Sequence, residues 1–190
     1  MARYGKEHKE ATRRRIVEAA GRRFKRDGID GSGIATLMAD AGLTNGAFYA
    51  HFASKDDLVA TTISDQLREQ RETYWQRPGA GVEQLVREYL SIRHRDDPEH
   101  GCPSAALLDE IGRCSTSTKQ AYTDGVLGIA NEIASRLVPT DPASARATTL
   151  SLFALLIGTL QLSRALADRQ LADEVLERGI ENALALLQRR

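Results

Sequence analysis

The chain has 190 residues, 42% of them apolar, so it is long enough for one large domain or two small ones and can bury a core. Its two cysteines exclude a disulfide framework, and no apolar run approaches the roughly 18 residues that a membrane span needs. The formal net charge of zero gives no overall sign of a nucleic-acid partner. The first residues, MARYGKEHKEATRRR, contain no apolar core of a secretory signal, so we expect a cytoplasmic protein.

The charges are unevenly distributed along the chain. Residues 1–26 hold ten basic and three acidic residues, a net charge of +7, so the remainder carries −7. Such an asymmetry is expected of a phosphate-binding end joined to a different module, although a solvated basic helix also accounts for it. The basic residues are Arg3, Lys6, Lys9, Arg13, Arg14, Arg15, Arg22, Arg23, Lys25 and Arg26.

Helical periodicity runs through almost the whole chain, and no stretch alternates with period two for long enough to form a strand. We therefore expect an all-α fold. The first helix is predicted to start near Thr12 and to end at the Gly C-cap of Asp27-Gly28. Further helices are predicted at 34–41, 45–51, 55–76, 82–95, 104–113, 116–138, 142–167 and 171–189, with a loop at 96–103.

Residues 34–55 have the plan of a helix-turn-helix motif. Apolar residues recur at i, i+3 and i+7 on the first short helix, which gives it one face to bury. Gly42 suits a left-handed turn after that helix. The second short helix exposes small or polar groups at its start, as does a helix that enters the major groove of DNA.

Short side chains at the start of the second helix suit contact with bases. Asn45 can pair bidentately with adenine, and Thr44 or Ala47 can touch a thymine methyl group or a phosphate. Gly46 adds little bulk, so the backbone can come close to the DNA.

Residues further along the motif are predicted to contact phosphates or to fill the core. Tyr49 and His51 would reach the DNA backbone, and Lys55 starts the next helix, where amides and a positive side chain together form an anion site. Phe48 and Phe52 are four residues apart and are predicted to face inward.

The run AGLTNGAFYAHFASK at residues 41–55 contains A-G-L-T-x-G-x-F-Y-x-H-F-x-S-K, a highly specific pattern. With it, residues 12–58 resemble the N-terminal domain of the TetR family of transcriptional regulators. The resemblance covers about a quarter of the chain, and the rest agrees only in being helical and of the right length. Further matching positions are Thr12, Ile16, Ala19, Ala20, Phe24, Gly28, Ile34 and Leu58.

The resemblance implies a three-helix DNA-binding head, residues 1–54, and a larger helical body, residues 55–190, that dimerises and holds a ligand cavity. It also implies a repressor that a small molecule releases from DNA. Some members place a guanine-reading arginine where this chain has Ala35, so base contact from the first short helix is left to Thr36. By position the resemblance places DNA contacts at Thr44, Asn45, Ala47, Tyr49, His51 and Lys55.

The last two predicted helices are apolar on more than one face, which calls for a second surface to cover them. With the resemblance, this predicts a four-helix dimer interface, although some of these residues belong to the protomer core in any fold. The candidate interface residues are Leu150, Ile157, Gly158, Gln161, Ile180, Leu184 and Leu187.

The implied ligand cavity has only generic candidates on the middle helices, each of which also fits a plain core position. They are Trp75, Tyr89, Leu107, Leu108, Ile111, Tyr122 and Phe153. Cys102 is a further candidate: it precedes a Pro-started helix, where helix amides favour a reactive thiolate, so a thiol-reactive effector is one hypothesis. The alternative is a small residue packed in a helix corner.

The loop at 96–103 and the residues beside it show no regular metal-ligand spacing, so we expect a solvated acidic loop and no metal or cofactor. No nucleotide-binding Gly-loop or catalytic constellation is present, and an enzyme is not expected. The sequence thus predicts a homodimeric regulator that binds near-palindromic double-stranded operator DNA and a small-molecule effector, with no membrane association. The alternative is a helical adaptor whose helix-turn-helix serves only protein contacts.

Overall fold

The described part of the chain is residues 2–188 of a computed structural model, and within it every regular element is a helix, which confirms the all-α fold. Arg3, Lys6 and residue 189, named in the predictions above, have side chains outside the described part. The α-helices are α1 (Ala2–Asp27), α2 (Ile34–Asp40), α3 (Lys55–Trp75), α4 (Val82–Tyr89), α5 (Ile92–Asp96), α6 (Pro103–Arg113), α7 (Thr116–Leu137), α8 (Arg146–Ala165) and α9 (Arg169–Gln188). Three 3₁₀ helices span Asn45–Ala50, Pro98–His100 and Pro142–Ala145.

Two helix pairs make the most extensive contacts: α3 packs along α7, and α8 packs along α9. Helix α1 contacts α2 and α3, and it also reaches α6 and the 3₁₀ helix Pro98–His100 of the body. One buried apolar cluster runs from Phe24 and Phe48 in the head to Leu90 and Leu152 in the body. The head and the body therefore share a core instead of being joined by a linker.

The turn of the helix-turn-helix motif has the geometry that the sequence predicts. Gly42 has φ +67°. Its N–H donates to the carbonyl of Ala39 at 2.9 Å, and the N–H of Leu43 donates to the carbonyl of Met38 at 2.9 Å. These two bonds form a Schellman motif, which satisfies carbonyls at the end of α2 and reverses the chain within a few residues.

The second helix of the motif is the 3₁₀ helix Asn45–Ala50 and not the α-helix predicted there. Six residues make too few helical hydrogen bonds to hold an isolated helix in water. Phe48 and Phe52 anchor it instead: they are 0% and 2% exposed, and their rings stack with centroids 5.8 Å apart. The prediction that both rings face inward is confirmed.

Helix α3 begins at a side-chain cap. The Ser54 hydroxyl accepts the N–H of Asp57 at 3.1 Å, while the Asp57 carboxylate accepts the N–H of Ala53 at 3.0 Å. The second bond reaches one residue further back than the expected reciprocal bond to the N-cap N–H. The predicted start of the long helix is confirmed.

Other predicted boundaries are wrong. Helix α1 begins at Ala2 and not near Thr12, because residues 7–15 (EHKEATRRR) are mostly strong helix formers although few are apolar. The single helix predicted at 82–95 is two helices, α4 and α5. Leu90 leaves the helical conformation (φ −93°, ψ 35°), and the Ser91 hydroxyl caps α5 by accepting the N–H of His94 at 3.2 Å.

The stretch Pro142–Ala165 is the one segment, among residues that the structure describes, with the length and apolar character of a membrane-crossing helix. Its mean hydropathy is 1.4, and 33% of that window is buried. A helix of a helical core meets the same criteria, so length and hydropathy alone do not assign it to a membrane.

Replacing Gly42 by Ala should lower the free energy of unfolding by about 1–2 kcal/mol, because a β-carbon is disfavoured at positive φ. The added β-carbon would also lie 3.1 Å from Nη2 of Arg15. In the matched control Gly112→Ala, the new methyl group meets no atom within 4 Å, and the greater helix propensity of Ala should raise stability by up to about 1 kcal/mol. Urea unfolding at neutral pH measures both, and equal effects would contradict the left-handed turn.

Candidate nucleic-acid interface and ligand cavity

The predicted DNA contacts differ in their exposure. Tyr49 is 70% exposed, with its ring held edge-on against Phe48 at a centroid distance of 5.1 Å. Thr44 stands at the N-cap position with extended backbone but makes no capping bond with its side chain, so its hydroxyl stays available. Among the predicted contacts, Thr36, Thr44, Asn45, Gly46 and Tyr49 are exposed, and Ala47, His51 and Lys55 are half-buried.

Gly46 lies on an open surface. A β-carbon built at this position has no other atom within 4 Å. The backbone of the 3₁₀ helix is therefore uncovered here, and a large flat partner can approach it closely.

His51 does not present a charged group to this surface. Its Nδ1 is buried and has no hydrogen-bond partner within the described residues. Burial lowers the pKa of the imidazole, and the positive charges of Lys9 and Arg13 lower it further. A neutral His51 can offer a phosphate a hydrogen bond but no ionic attraction.

Several basic residues of α1 hold the head together and do not point freely into solvent. Arg13 donates to the Thr61 hydroxyl at 3.1 Å, and its guanidinium lies 4.7 Å from the ring centroid of Phe52. Arg15 donates to the carbonyl of Ala41 at 2.7 Å, next to the motif's turn. The excess of basic residues that the sequence shows is thus partly structural, which residue counts alone could not reveal.

A cavity of about 900 Å³ lies in the body, with walls from α3, α4, α7 and α8 and from the segment that contains α5 and residues 97–102. Four of the predicted ligand-binding residues line it: Trp75, Tyr89, Cys102 and Phe153. Four others do not line it: Leu107 and Ile111 are buried core, Tyr122 is half-buried, and Leu108 is exposed. Sequence reasoning looked for apolar walls and missed the cavity's charged side chains, which are Arg71, Arg77, Arg87, Glu88, Arg93 and Asp97.

The predicted dimer residues fall into three groups by exposure. Ile157 and Leu187 are buried in the protomer core, so they offer little surface to a second copy. Leu150 and Gly158 are exposed. Gln161, Ile180 and Leu184 are half-buried.

The loop after α5 brings three possible metal ligands together. Side-chain atoms of Asp97, Glu99 and His100 lie within 4.8 Å of one another. Nδ1 of His100 lies 2.9 Å from the Asp97 carboxylate, and Glu99 also lies 3.7 Å from Arg26. His100 is exposed, Asp97 and Glu99 are half-buried, and the three side chains contact one another and α1, as expected of a loop at the surface.

The head matches known proteins in sequence. Residues 16–62 match the family model for bacterial regulatory proteins of the tetR family. Over 69 residues, 36% of this chain and 32% of the relative, it is 41% identical to the HTH-type transcriptional regulator TtgR of Pseudomonas putida. Over 60 residues, 32% of this chain and 28% of the relative, it is 38% identical to the HTH-type transcriptional regulator AcrR of Shigella flexneri.

In sequence, residues 16–62 are therefore similar to the TetR family. We call residues 16–62 the TetR domain. The matched segment spans only about a third of the curated relatives' length, so the match in sequence concerns this domain and not the body.

The fold of the whole chain is also known from solved structures. The reduced form of E. coli NemR superposes with a TM-score of 0.74, covering 91% of this chain and 95% of that one at 17% identity. A TetR-family regulator from Cytophaga hutchinsonii gives a TM-score of 0.74, covering 94% and 96% at 18% identity. At these identities the likeness concerns the fold alone: the body has the same helical fold as the bodies of these two structures.

Two contacts connect the TetR domain to the body, and one of them is at the wall of the cavity. Nζ of Lys25 donates to the carbonyl of Gly101 at 2.9 Å, and Gly101 lines the cavity. The Glu110 carboxylate accepts the N–H of Ile29 at 2.6 Å and that of Asp30 at 3.3 Å. Burial lowers the pKa of Lys25 to about 8. Because Lys25 lies near the end of α1, a displacement of Gly101 in the cavity wall would change this contact directly.

His94 holds the same wall from inside. Its Nδ1 lies 2.8 Å from the carbonyl of Tyr89, and its Nε2 accepts the N–H of Cys102 at 3.0 Å. A neutral ring with its proton on Nδ1 satisfies both bonds. Burial lowers the pKa of His94 to about 4, and the positive charges of Arg164 and Lys25 act in the same direction.

Stability should fall as the pH drops from about 6.5 to about 4. In the unfolded chain His94 titrates near its ordinary pKa of about 6.5. Its folded pKa is about 4, so in this interval the unfolded state binds a proton that the folded state does not. The loss amounts to at most about 3 kcal/mol. Urea unfolding across this range measures it.

The His94→Gln variant should lose most of this pH dependence, because Gln can still donate and accept hydrogen bonds but does not titrate. His100→Gln is the matched control on the exposed 3₁₀ helix and should keep the dependence. If His94→Gln kept the full dependence and His100→Gln removed it, the assignment to His94 would be wrong.

Proposed function

We propose that the protein is a homodimeric, DNA-binding transcriptional regulator that acts as a repressor and is released from its operator by a small molecule in the body cavity. The observation that carries the proposal is the TetR domain's open surface around Asn45, Gly46 and Tyr49, held in place by the buried rings of Phe48 and Phe52. The curated relatives matched over this segment are transcriptional regulators, which also supports a non-catalytic role. Such a regulator works where the DNA is, in the cytoplasm.

The exposed groups of the 3₁₀ helix have the chemistry for reading DNA. In the major groove, the Asn45 side-chain amide can donate to N7 of adenine and accept from its N6 amino group, which is the bidentate pairing. Thr44 and Tyr49 carry hydroxyl groups that suit phosphates, and the half-buried Lys55 adds a positive charge at the start of α3. Thr36 on α2 is exposed and is available for a further contact.

An exposed apolar stripe on α8 supports the dimer. Leu150, Ala154, Gly158 and Leu162 are spaced four apart and exposed, with Leu150 at 40% and Leu162 at 53%. A β-carbon at Gly158 would meet no atom within 4 Å, so a helix of a second copy can approach closely there. A two-fold dimer would present two TetR domains to two half-sites of a near-palindrome.

We place the boundary between the head and the body between residues 54 and 55. Release by a ligand then needs a path of contacts from the cavity in the body to the head. The contact between Lys25 and Gly101 supplies one path, because Gly101 lines the cavity and Lys25 belongs to α1. Helix α3 supplies a second path, because it packs on α1 in the head and on α7 in the body. A ligand that shifts either contact would change the spacing of the two TetR domains, and only one spacing fits successive major grooves.

Selection of bound fragments from the source genome should enrich one near-palindromic sequence, with affinity falling steeply as salt rises. Lys55→Gln should weaken binding to all sequences and reduce the salt slope by about 1 for each TetR domain. Asn45→Ala should relax the preference at one base pair and lower affinity by about 1–3 kcal/mol. Competition binding at several salt concentrations distinguishes the two effects.

Arg178→Gln is the control, because Arg178 is exposed on α9 and pairs with Glu181 at 2.7 Å, away from the TetR domain. Its DNA affinity should equal that of the wild type. If a folded dimer enriches no DNA sequence, either as purified or after any bound ligand has been extracted from it, the adaptor hypothesis is favoured. Enrichment of a single half-site would contradict two-fold binding.

A thiol-reactive effector is a second candidate at the same site. Cys102 lines the cavity, its N–H is held by His94, and the carbonyl of the preceding Gly101 is bound by Lys25. The side chain is only 1% exposed, so a reagent must enter through the cavity.

Treatment with N-ethylmaleimide should abolish DNA binding by the wild type and by Cys114→Ser, and should spare Cys102→Ser. Cys114 is the matched control: it is half-buried at the end of α6 and does not line the cavity. Mass spectrometry reports which thiol has reacted. Unchanged DNA binding by protein fully modified at Cys102 would end the idea of a thiol-reactive effector.

A further inference from the structure

The charges along the cavity are unbalanced. Of its two lining carboxylates, Glu88 pairs with Arg77 at 2.8 Å, and Asp97 lies 2.9 Å from Nδ1 of His100. Arg87 and Arg93 are exposed, line the cavity and form no ion pair with any residue that the structure describes. Asp97 also interacts electrostatically with Arg93, but the four arginines of the lining outnumber its two carboxylates, so the lining keeps an excess of positive charge.

Two further cations lie behind the wall formed by His94, Gly101 and Cys102. The guanidinium of Arg164 donates only to backbone carbonyls within the described chain, with bonds of 2.6 Å to His94 and 3.0 Å to Ala105 among them. The ammonium of Lys25 likewise bonds to the Gly101 carbonyl. Burial lowers the pKa of Arg164 and brings that of Lys25 to about 8. Carbonyl dipoles solvate these charges without cancelling them, and a poorly screened interior extends their potential.

Two of the aromatic rings in the lining, those of Tyr74 and Trp75, already have an arginine of the protein over them. The guanidinium of Arg77 lies 4.5 Å from the ring centroid of Tyr74, and that of Arg136 lies 4.0 Å from the ring of Trp75. A ligand cation would have to displace an arginine to reach these faces.

The rest of the wall combines apolar side chains with the polar residues Gln70, Thr73, Gln84 and Ser91. Ile129, Ile133, Phe153 and Leu156 line the cavity and provide a surface for hydrocarbon. The Tyr89 hydroxyl is buried and forms no hydrogen bond to a nitrogen or oxygen atom of the described structure, and the thiol of Cys102 lies beside it. Burial raises its pKa, so it stays protonated and keeps a hydrogen to donate. A thiol sulfur is only a weak acceptor, so a ligand oxygen would be a better hydrogen-bond partner for this hydroxyl.

We propose that the cavity binds an amphipathic organic anion, with its charged group at Arg87 and Arg93 and its hydrocarbon part along Phe153 and Leu156. This inference rests on the proposed function in one respect: the anion is an effector only if the protein is a ligand-responsive regulator. Binding itself does not depend on DNA. A cavity of about 900 Å³ is ample for a single alkyl chain of about ten carbons with its head group.

Isothermal titration of the full chain with decanoate, decyltrimethylammonium and decanol tests the proposal, because the three probes share one tail and differ in charge. Decanoate should bind at least about tenfold more tightly than decanol, and the cation should bind most weakly. Tightest binding of the cation, equal binding of the anion and the alcohol, or no binding of decanoate at millimolar concentration would each overturn the proposal.

Arg87→Gln combined with Arg93→Gln should weaken decanoate binding about tenfold and leave decanol binding unchanged. The Arg178→Gln control should leave both unchanged, since Arg178 does not line the cavity. Equal loss of affinity for the anion and the alcohol in the double variant would also overturn the proposal, because it would mean a damaged cavity and not a lost charge pair.

A DNA-binding assay with and without decanoate separates this inference from the proposed function. Selective decanoate binding by a protein that never binds DNA would remove the proposed function and leave the anion site standing. Specific DNA binding by a protein that shows no preference for decanoate would remove the anion site and leave the proposed function standing.

Discussion

The burial of Phe48 and Phe52 is the constraint on which the surface that we propose faces DNA depends. The 3₁₀ helix that carries Asn45 and Tyr49 is only six residues long and has no side-chain cap, so its own hydrogen bonds cannot hold it. The two stacked rings fix it to the core, and the guanidinium of Arg13 on α1 lies over the ring of Phe52. The exposed groups are thus positioned by side chains on the opposite face, and a loss of packing there would move all of them together.

Helix docking within the head explains why so much positive charge on α1 is not free. Arg15 holds the carbonyl of Ala41 beside the turn, and Arg23 bonds to Asp40 at the end of α2. These contacts add to the apolar packing of Leu37 and Met38 in docking α2 against α1. A basic count in the sequence therefore overstates the charge available to a polyanion, since some of these side chains are engaged in joining one helix to another.

Local sequence signals predicted the head well, because its turn and its core depend on neighbouring residues. Gly42 indicates its positive φ, and the spacing of Phe48 and Phe52 indicates one inward face. The start of α1 was missed because a solvated helix has no apolar stripe to mark it. The break at Leu90 was missed because the Ser91 cap resembles any serine in a helical stretch.

The cavity was only half predictable, for a related reason. Trp75, Tyr89, Cys102 and Phe153 come from four separate parts of the chain and meet only through tertiary packing. The arginines around them have the sequence signature of ordinary surface residues. Nothing local distinguishes a side chain that points into a cavity from one that points into bulk water.

The segment from Pro98 to Cys102 has the cavity on one side and α1 on the other, since Gly101 lines the first and accepts a hydrogen bond from Lys25 of the second. A contact shared in this way must act in both directions. If an occupant of the cavity weakens the head's hold on DNA by some factor, DNA must weaken the protein's affinity for that occupant by the same factor. The protein free in solution would then hold its ligand more tightly than the protein on its operator, so operator copies and ligand molecules would compete for one pool of protein.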